Sequence, residues 1–343
     1  MCDDDNMANL DNNYYTCEGI GQTDYNRLID ILSQWLCTID MSRGPNVYAV
    51  IDNIKKSVNP IIIYEFTNRL RAEQYPLLLS LEHVISGAGC FYGSCLLSLV
   101  EQHVIKNIDL LYAFSLFYIL VDHYIDDKDI SLKDKKVVIG TMRQKLQDPT
   151  IEEDDDDMIK LLCRWYQKII EEVPESKDWM IAAFESEIDD AVLSQRPDCS
   201  YHDLLSLTEG KGGKMLEVIQ SLLTLPVDGD EYKLGVCIQL ADDINDWEDD
   251  IKLNINTPVT YLINNNHPLD RYVVYTGNLI GSLPAKYNLF KPLLLLSMLH
   301  PLSNDIISEK LNSIVSPYRQ IMPPNVKGDV IKGIYHLLLG DDR

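Results

Sequence analysis

The stretch Leu110-Leu-Tyr-Ala-Phe-Ser-Leu-Phe-Tyr-Ile-Leu-Val-Asp122-His-Tyr-Ile-Asp126-Asp127-Lys-Asp129 runs from apolar residues straight into a cluster of carboxylates. Apolar on every face, Leu110 to Val121 reads as a helix buried in a protein core. It falls well short of the roughly 18–20 residues needed to cross a bilayer. Asp122 and Asp126 stand four apart, so on a helix they project from one face, a turn from each other. Carboxylates stacked that way at the end of a buried helix repel one another and are costly unless a cation compensates.

The arrangement returns about 120 residues later in Leu234-Gly-Val-Cys-Ile-Gln239-Leu-Ala-Asp242-Asp243-Ile-Asn-Asp246. Gln239, Asp242 and Asp246 fall on one helical stripe, again after an apolar run. Two such helices facing one cavity would bind several hard divalent cations, most simply Mg²⁺, through oxygen ligands and retained water. The two clusters make chemical sense only together, which favours one domain.

Around these clusters helical periodicity is nearly continuous from about residue 24 onward. The spacing predicts helices over 24–38, 46–57, 60–73, 77–104, 108–127, 132–147, 157–173, 176–196 and 201–225. Others follow over 230–251, 268–282, 286–299, 303–316 and 326–339, with breaks at Pro, Gly and Asn clusters. No short alternating segments with hairpin turns appear. The expectation is therefore all-α: a single large antiparallel helical bundle around a central cavity, residues 23–343, behind a flexible acidic tail, residues 1–22. The run Glu152–Asp157 reads as a solvated helix N-terminus, where negative charge suits the helix dipole.

Composition narrows the function classes. The chain has 343 residues, 46% of them hydrophobic, and a formal charge of −23. That charge argues against a nucleic-acid or anionic-membrane surface, which needs dense Lys and Arg. Eight cysteines are scattered with no CxxC pair, as expected of reduced residues in a cytoplasmic protein. The acidic, Asn-rich start is unlike a secretory signal. In Glu209-Gly-Lys211-Gly-Gly-Lys214, two lysines stand among glycines, where a backbone without side chains lets an anion approach closely.

These motifs, in order, carry a resemblance. Thr208-Glu-Gly-Lys211-Gly-Gly, Gln239-Leu-Ala-Asp242-Asp243-Ile-Asn-Asp246 and Asn256-Thr-Pro-Val-Thr-Tyr261 resemble the C-terminal half of trans-isoprenyl diphosphate synthases. Those enzymes carry a lysine in a K-T-G context, a Q-x-x-D-D-x-x-D motif and a short K-x-T-x-P segment. The first cluster, read as D-x-x-x-D-D, is closer to squalene and phytoene synthases. The resemblance covers roughly residues 80–265 and implies the isoprenoid synthase fold, a homodimer and an allylic prenyl diphosphate substrate. It also implies three Mg²⁺ ions per site, held by Asp122, Asp126, Asp242 and Asp246, with Lys211, Lys214 and Gln239 on the diphosphate.

Departures from the pattern keep alternatives open. Residues 77–92 contain no lysine or arginine where chain-elongating synthases hold the acceptor diphosphate, and the arginine pair after the first motif is missing. The N-D-x-x-S-x-x-x-E motif of terpene cyclases is absent too. The leading expectation is a prenyltransferase making a linear isoprenyl diphosphate of the geranyl, farnesyl or geranylgeranyl class. A terpene cyclase, a head-to-head synthase and a non-catalytic helical subunit of a heteromeric synthase are the alternatives. A di-metal carboxylate bundle would need Glu-x-x-His pairs, and no histidine has one.

Departure of pyrophosphate from an allylic carbon requires charge stabilisation and leaves a carbocation that needs a dry aromatic cavity. Phe91, Tyr92, Phe114, Phe117, Tyr118 and Phe184 are the candidates for its lining. His123 replaces a motif aspartate, and imidazole suits a hydrogen-bonding role better than Mg²⁺. Tyr318-Arg319 reads as surface.

Overall fold

Helix α1 spans Gln22–Trp35, α2 Leu81–Val100, α3 Ile108–Asp126, α4 Leu132–Gln147, α5 Asp157–Glu172 and α6 Ser176–Leu193. Helix α7 spans Tyr201–Leu222, α8 Asp230–Asn245, α9 Trp247–Leu253, α10 Pro258–Asn264, α11 Asp270–Gly281, α12 Phe290–Leu299 and α13 Glu309–Arg319. They come from a computed structural model that describes residues 20–35, 64, 66, 68–69, 81–100, 108–126, 130, 132–196, 198–288 and 290–319. Among the described residues there are thirteen α-helices, one 3₁₀ turn and no strand, so the protein is all-α. The helices predicted over 46–57 and 326–339 lie outside the described residues, as do most of 60–73 and most of the acidic tail.

Most boundaries shift from the periodicity by a few residues, and three departures are larger. The predicted helix 230–251 is two helices: α8 stops at Asn245, and the Asp246 carbonyl accepts the Asp249 and Asp250 amides to start α9. Asn254, at φ 54°, closes α9 in the left-handed conformation that asparagine tolerates. Helix α10 was not anticipated, because seven residues are too few for a periodic signal. It is specified by a reciprocal cap between Thr257 and Thr260, with Pro258 at its first position. In place of a helix from 303, residues 304–307 turn before α13 begins.

The chain divides into two compact units. One comprises residues 47–196, 210–235 and 323–343; the other comprises 1–46, 197–209 and 236–322. Helices α7 and α8 each supply residues to both.

In the first unit α3 is buried along its apolar length, Leu110 to Val121, and packs against α2, α5 and α6. An element apolar on all sides is stable only when other helices surround it. Helix α4 joins through Arg143, whose guanidinium grips both oxygens of Glu185 on α6. The acidic run serves α5. Asp156 accepts the Ile159 amide at 2.8 Å as N-cap, and Asp155 pairs with Lys145 at 2.7 Å.

In the other unit α11 packs on α1 and α12, and α12 on α13. Its fully buried Asp270 accepts the Tyr25 hydroxyl at 2.8 Å and the Ser308 amide at 2.8 Å. The Ser308 hydroxyl donates to the same carboxylate. One side chain therefore ties α1, α11 and the turn before α13.

Among the described residues no helix is long and apolar enough to cross a membrane. Cys90, Cys95, Cys163, Cys199 and Cys237 are free thiols.

Candidate active site

Helix α3 delivers two polar groups from one face, Tyr118 and, a turn later, Asp122. Helix α6 delivers Glu187 and Asp190, and α7 delivers Lys211; all lie in one unit. The Lys211 ammonium lies 2.8 Å from Asp122, 3.0 Å from Glu187 and 3.9 Å from Asp190. The Tyr118 hydroxyl donates to the other oxygen of Glu187. Exposure grades outward: the Glu187 side chain is 4% exposed, Lys211 14%, Asp122 22% and Asp190 26%.

Three carboxylates thus share one lysine, and two of them, Glu187 and Asp190, hold a proton more tightly than usual. Burial is the largest cause raising the Glu187 carboxyl to about 8, with Asp122 and Asp190 adding repulsion and Lys211 and Tyr118 opposing it. Burial also raises Asp190. For Lys211 burial works against the charged form, yet the surrounding anions outweigh it and hold the ammonium well above its usual range. The Tyr118 phenol is pushed well up by burial and by Glu187. Lys211 is therefore held as an ammonium.

A backbone contact sets this geometry. A Cβ added to Gly235 on α8 would lie 2.1 Å from the Gly212 carbonyl oxygen on α7. Only glycine permits that approach. Helix α7 runs unbroken through Gly210, Gly212 and Gly213, so these glycines do not open the backbone to an anion. Gly212 makes room for α8, and Gly213 faces the Tyr232 ring. Lys214 points elsewhere than Lys211. Its ammonium pairs with Glu217 at 2.8 Å and faces the rings of Tyr232 and Trp179.

The second acidic cluster lies in the other unit. Asp243, 6% exposed, accepts the Tyr272 hydroxyl at 3.1 Å, the Gln239 amide at 3.2 Å and the Thr208 hydroxyl at 3.4 Å. Gln239 is thus engaged with the one aspartate outside its predicted stripe. Asp242 is exposed, and Asp246 is half-buried and accepts from Asn245 at 2.6 Å. The Asn256–Tyr261 segment is the start of α10, its Thr257 serving as a cap.

The aromatic candidates are distributed as follows. Phe117 is buried, stacks on Tyr166 and borders a small apolar pocket with Met142, Leu162 and Cys163. Phe91 packs against Phe66 and Tyr112; Phe114 leans on Tyr118 at 5.8 Å; Phe184 is buried. Tyr92 is half-buried, its phenol raised to about 12 by burial. Asp126 is the last residue of α3, and His123 stands on its final turn. Tyr318 shares a hydrogen bond with Ser33.

Sequence reasoning missed Glu187 and Asp190. A signal was present: Met180, Ala183, Phe184, Glu187 and Ile188 form one helical stripe in which Glu187 is the sole charge. Among the described residues no group of three or more His, Cys, Asp or Glu side chains is arranged to hold a metal ion. The donors at both clusters are carboxylate oxygens, the type that Mg²⁺ takes, and at Asp122 the compensating cation is Lys211. No protein-family model, curated protein or solved structure matches this chain.

Proposed function

We propose that this protein is a Mg²⁺-dependent prenyltransferase. It would ionise an allylic prenyl diphosphate and couple the carbocation to an acceptor, making a linear isoprenyl diphosphate. One observation carries the reading most directly: Lys211 and Asp122, 89 residues apart in sequence, meet at 2.8 Å where the buried apolar run of α3 ends. A fixed cation and a carboxylate beside a water-poor wall are what diphosphate departure requires.

Asp122 and Asp126, and in the second motif Asp242 and Asp246, are the carboxylates that would hold Mg²⁺. The ions, when bound, supply Lewis-acid neutralisation of the departing pyrophosphate. Lys211 contributes a charge that stays positive across the physiological range, with Glu187 and Tyr118 fixing its position from beneath. Tyr118 and Phe114 present aromatic surface on the same helix, where a cation gains from π faces and from exclusion of water. Lys214, occupied with Glu217, would reach a diphosphate only by leaving that pair. A cytoplasmic homodimer is part of the same reading.

Incubation with geranyl, farnesyl and geranylgeranyl diphosphates and Mg²⁺, with and without isopentenyl diphosphate, tests it by mass spectrometry. The expected product is a diphosphate longer by five carbons, lost in Asp122→Ala and Asp242→Ala. A hydrocarbon formed without isopentenyl diphosphate would point to a cyclase or a head-to-head synthase. No pyrophosphate release from any substrate would point to a non-catalytic subunit.

A further inference from the structure

The Lys211 ammonium occupies the position among Asp122, Glu187 and Asp190 that a bound cation would compensate. Its partners are not equivalent. Glu187 is almost completely enclosed and is pinned by the Tyr118 hydroxyl, whereas Asp122 is more open to solvent. Asp122 is therefore the partner that an incoming ion or ligand can reach. A divalent ion arriving at Asp122 meets a carboxylate whose charge is already spent and an ammonium within hydrogen-bond distance that repels it.

We propose that Lys211 is an internal competitor for divalent cations at Asp122, so that metal ions bind there well only when an anionic diphosphate arrives to take the lysine. This rests on the prenyl diphosphate reading for what the anion is, and it adds an order to the binding. In the resting protein the Lys211–Asp122 pair closes the site to free metal. A diphosphate draws the ammonium away from Asp122, which becomes available as a ligand. Metal and diphosphate then bind together far better than either alone. No bond is made or broken, and the coupling is electrostatic.

The test is metal binding without any diphosphate. Mn²⁺ binding is followed by electron paramagnetic resonance, and the unfolding midpoint is recorded with and without Mg²⁺, for wild type, Lys211→Gln and Lys211→Arg. Removing the ammonium is expected to tighten Mn²⁺ binding about tenfold. Mg²⁺ should also raise the midpoint of Lys211→Gln more than that of wild type. Lys211→Arg keeps the charge and should stay at the wild-type affinity. Adding Asp122→Asn to Lys211→Gln should abolish the gain, which separates this site from the acidic surface at large.

Equal or weaker Mn²⁺ binding by Lys211→Gln overturns the proposal. So does a Lys211→Gln protein that fails to fold even with Mg²⁺ while Lys211→Arg folds, since metal then cannot stand in for the lysine. The outcome is separable from that of the functional reading. Tighter metal binding without pyrophosphate release by wild type leaves the competitor standing and removes the enzyme. Release by wild type without tighter binding does the reverse.

Discussion

Tyr118 on α3 donates its hydroxyl to Glu187 on α6, joining residues 69 apart in sequence, while Lys211 holds the other oxygen of the same carboxylate. A glutamate enclosed this completely persists because both of its oxygens are engaged. Replacing Tyr118 by Phe leaves one of them without its donor. The expected cost is about 1–2 kcal/mol in urea unfolding, with the helical circular dichroism unchanged.

The Glu187 carboxyl makes stability depend on pH in a defined direction. Its proton affinity in the fold, about 8, exceeds its ordinary value of 4.5, so the folded protein holds more protons between those limits. Stability then falls as pH rises from about 4.5 to about 8 and levels off above. Asp190, shifted the same way, contributes in the same direction. Lys211 stays charged throughout and contributes none of it. Thermal unfolding across this range should show a declining midpoint, and Glu187→Gln should flatten the decline. An unchanged slope in that variant would count against the assignment.

Adjacent aspartates in the second motif should behave oppositely. Asp243 is buried and accepts from Tyr272, Gln239 and Thr208, so Asp243→Ala leaves three donors without an acceptor. A loss of about 3 kcal/mol is expected. Asp242 is exposed, and Asp242→Ala should stay within about 0.5 kcal/mol of wild type. Under the proposed function it is Asp242→Ala that stops product formation in a stable protein. Chemical denaturation and the product assay, run on both variants, separate the two roles.

Gly235→Ala should be destabilising out of proportion to one methyl group. The added carbon would overlap the Gly212 carbonyl, which belongs to helix backbone and cannot rotate away. A cost of about 2–3 kcal/mol is expected. Parting α7 from α8 should also move Lys211, so under the proposed function metal-stimulated activity should drop further than the fraction unfolded explains.

Asp270→Ala should be among the costliest substitutions in its unit. It strands the Tyr25 hydroxyl and both Ser308 donors at once, and a loss of about 3–4 kcal/mol is expected. Tyr25→Phe removes one of these bonds and should cost about 1 kcal/mol. Urea midpoints for the two variants provide the check, and equal losses would contradict the three-way tie.

Much of the helical layout was legible because burial imposes a period. Helix α4 matches its predicted limits, and α3, α5 and α7 match at one or both ends. What escaped was short or locally capped. Helix α10 has too few turns for a stripe, and the break at Asp246 depends on its carbonyl accepting two amides. At the site, Asp122 stood out as a charge at the end of an apolar run, and Lys211 as a lysine among glycines. Glu187 was a charge in an apolar stripe on α6 but lacked a second acidic residue four positions away to draw attention.

The order of residues alone determined that this chain is helical, that α3 is buried and that charge gathers at its end. Those properties follow from patterns within a few turns of one helix. Folding decided which charges meet: that Lys211 bridges Asp122 and Glu187, that Lys214 turns to Glu217, and that Asp243 rather than Asp242 is enclosed. Ion pairs and hydrogen bonds between helices depend on how close two backbones come, here through Gly212 and Gly235, and no local pattern encodes that distance.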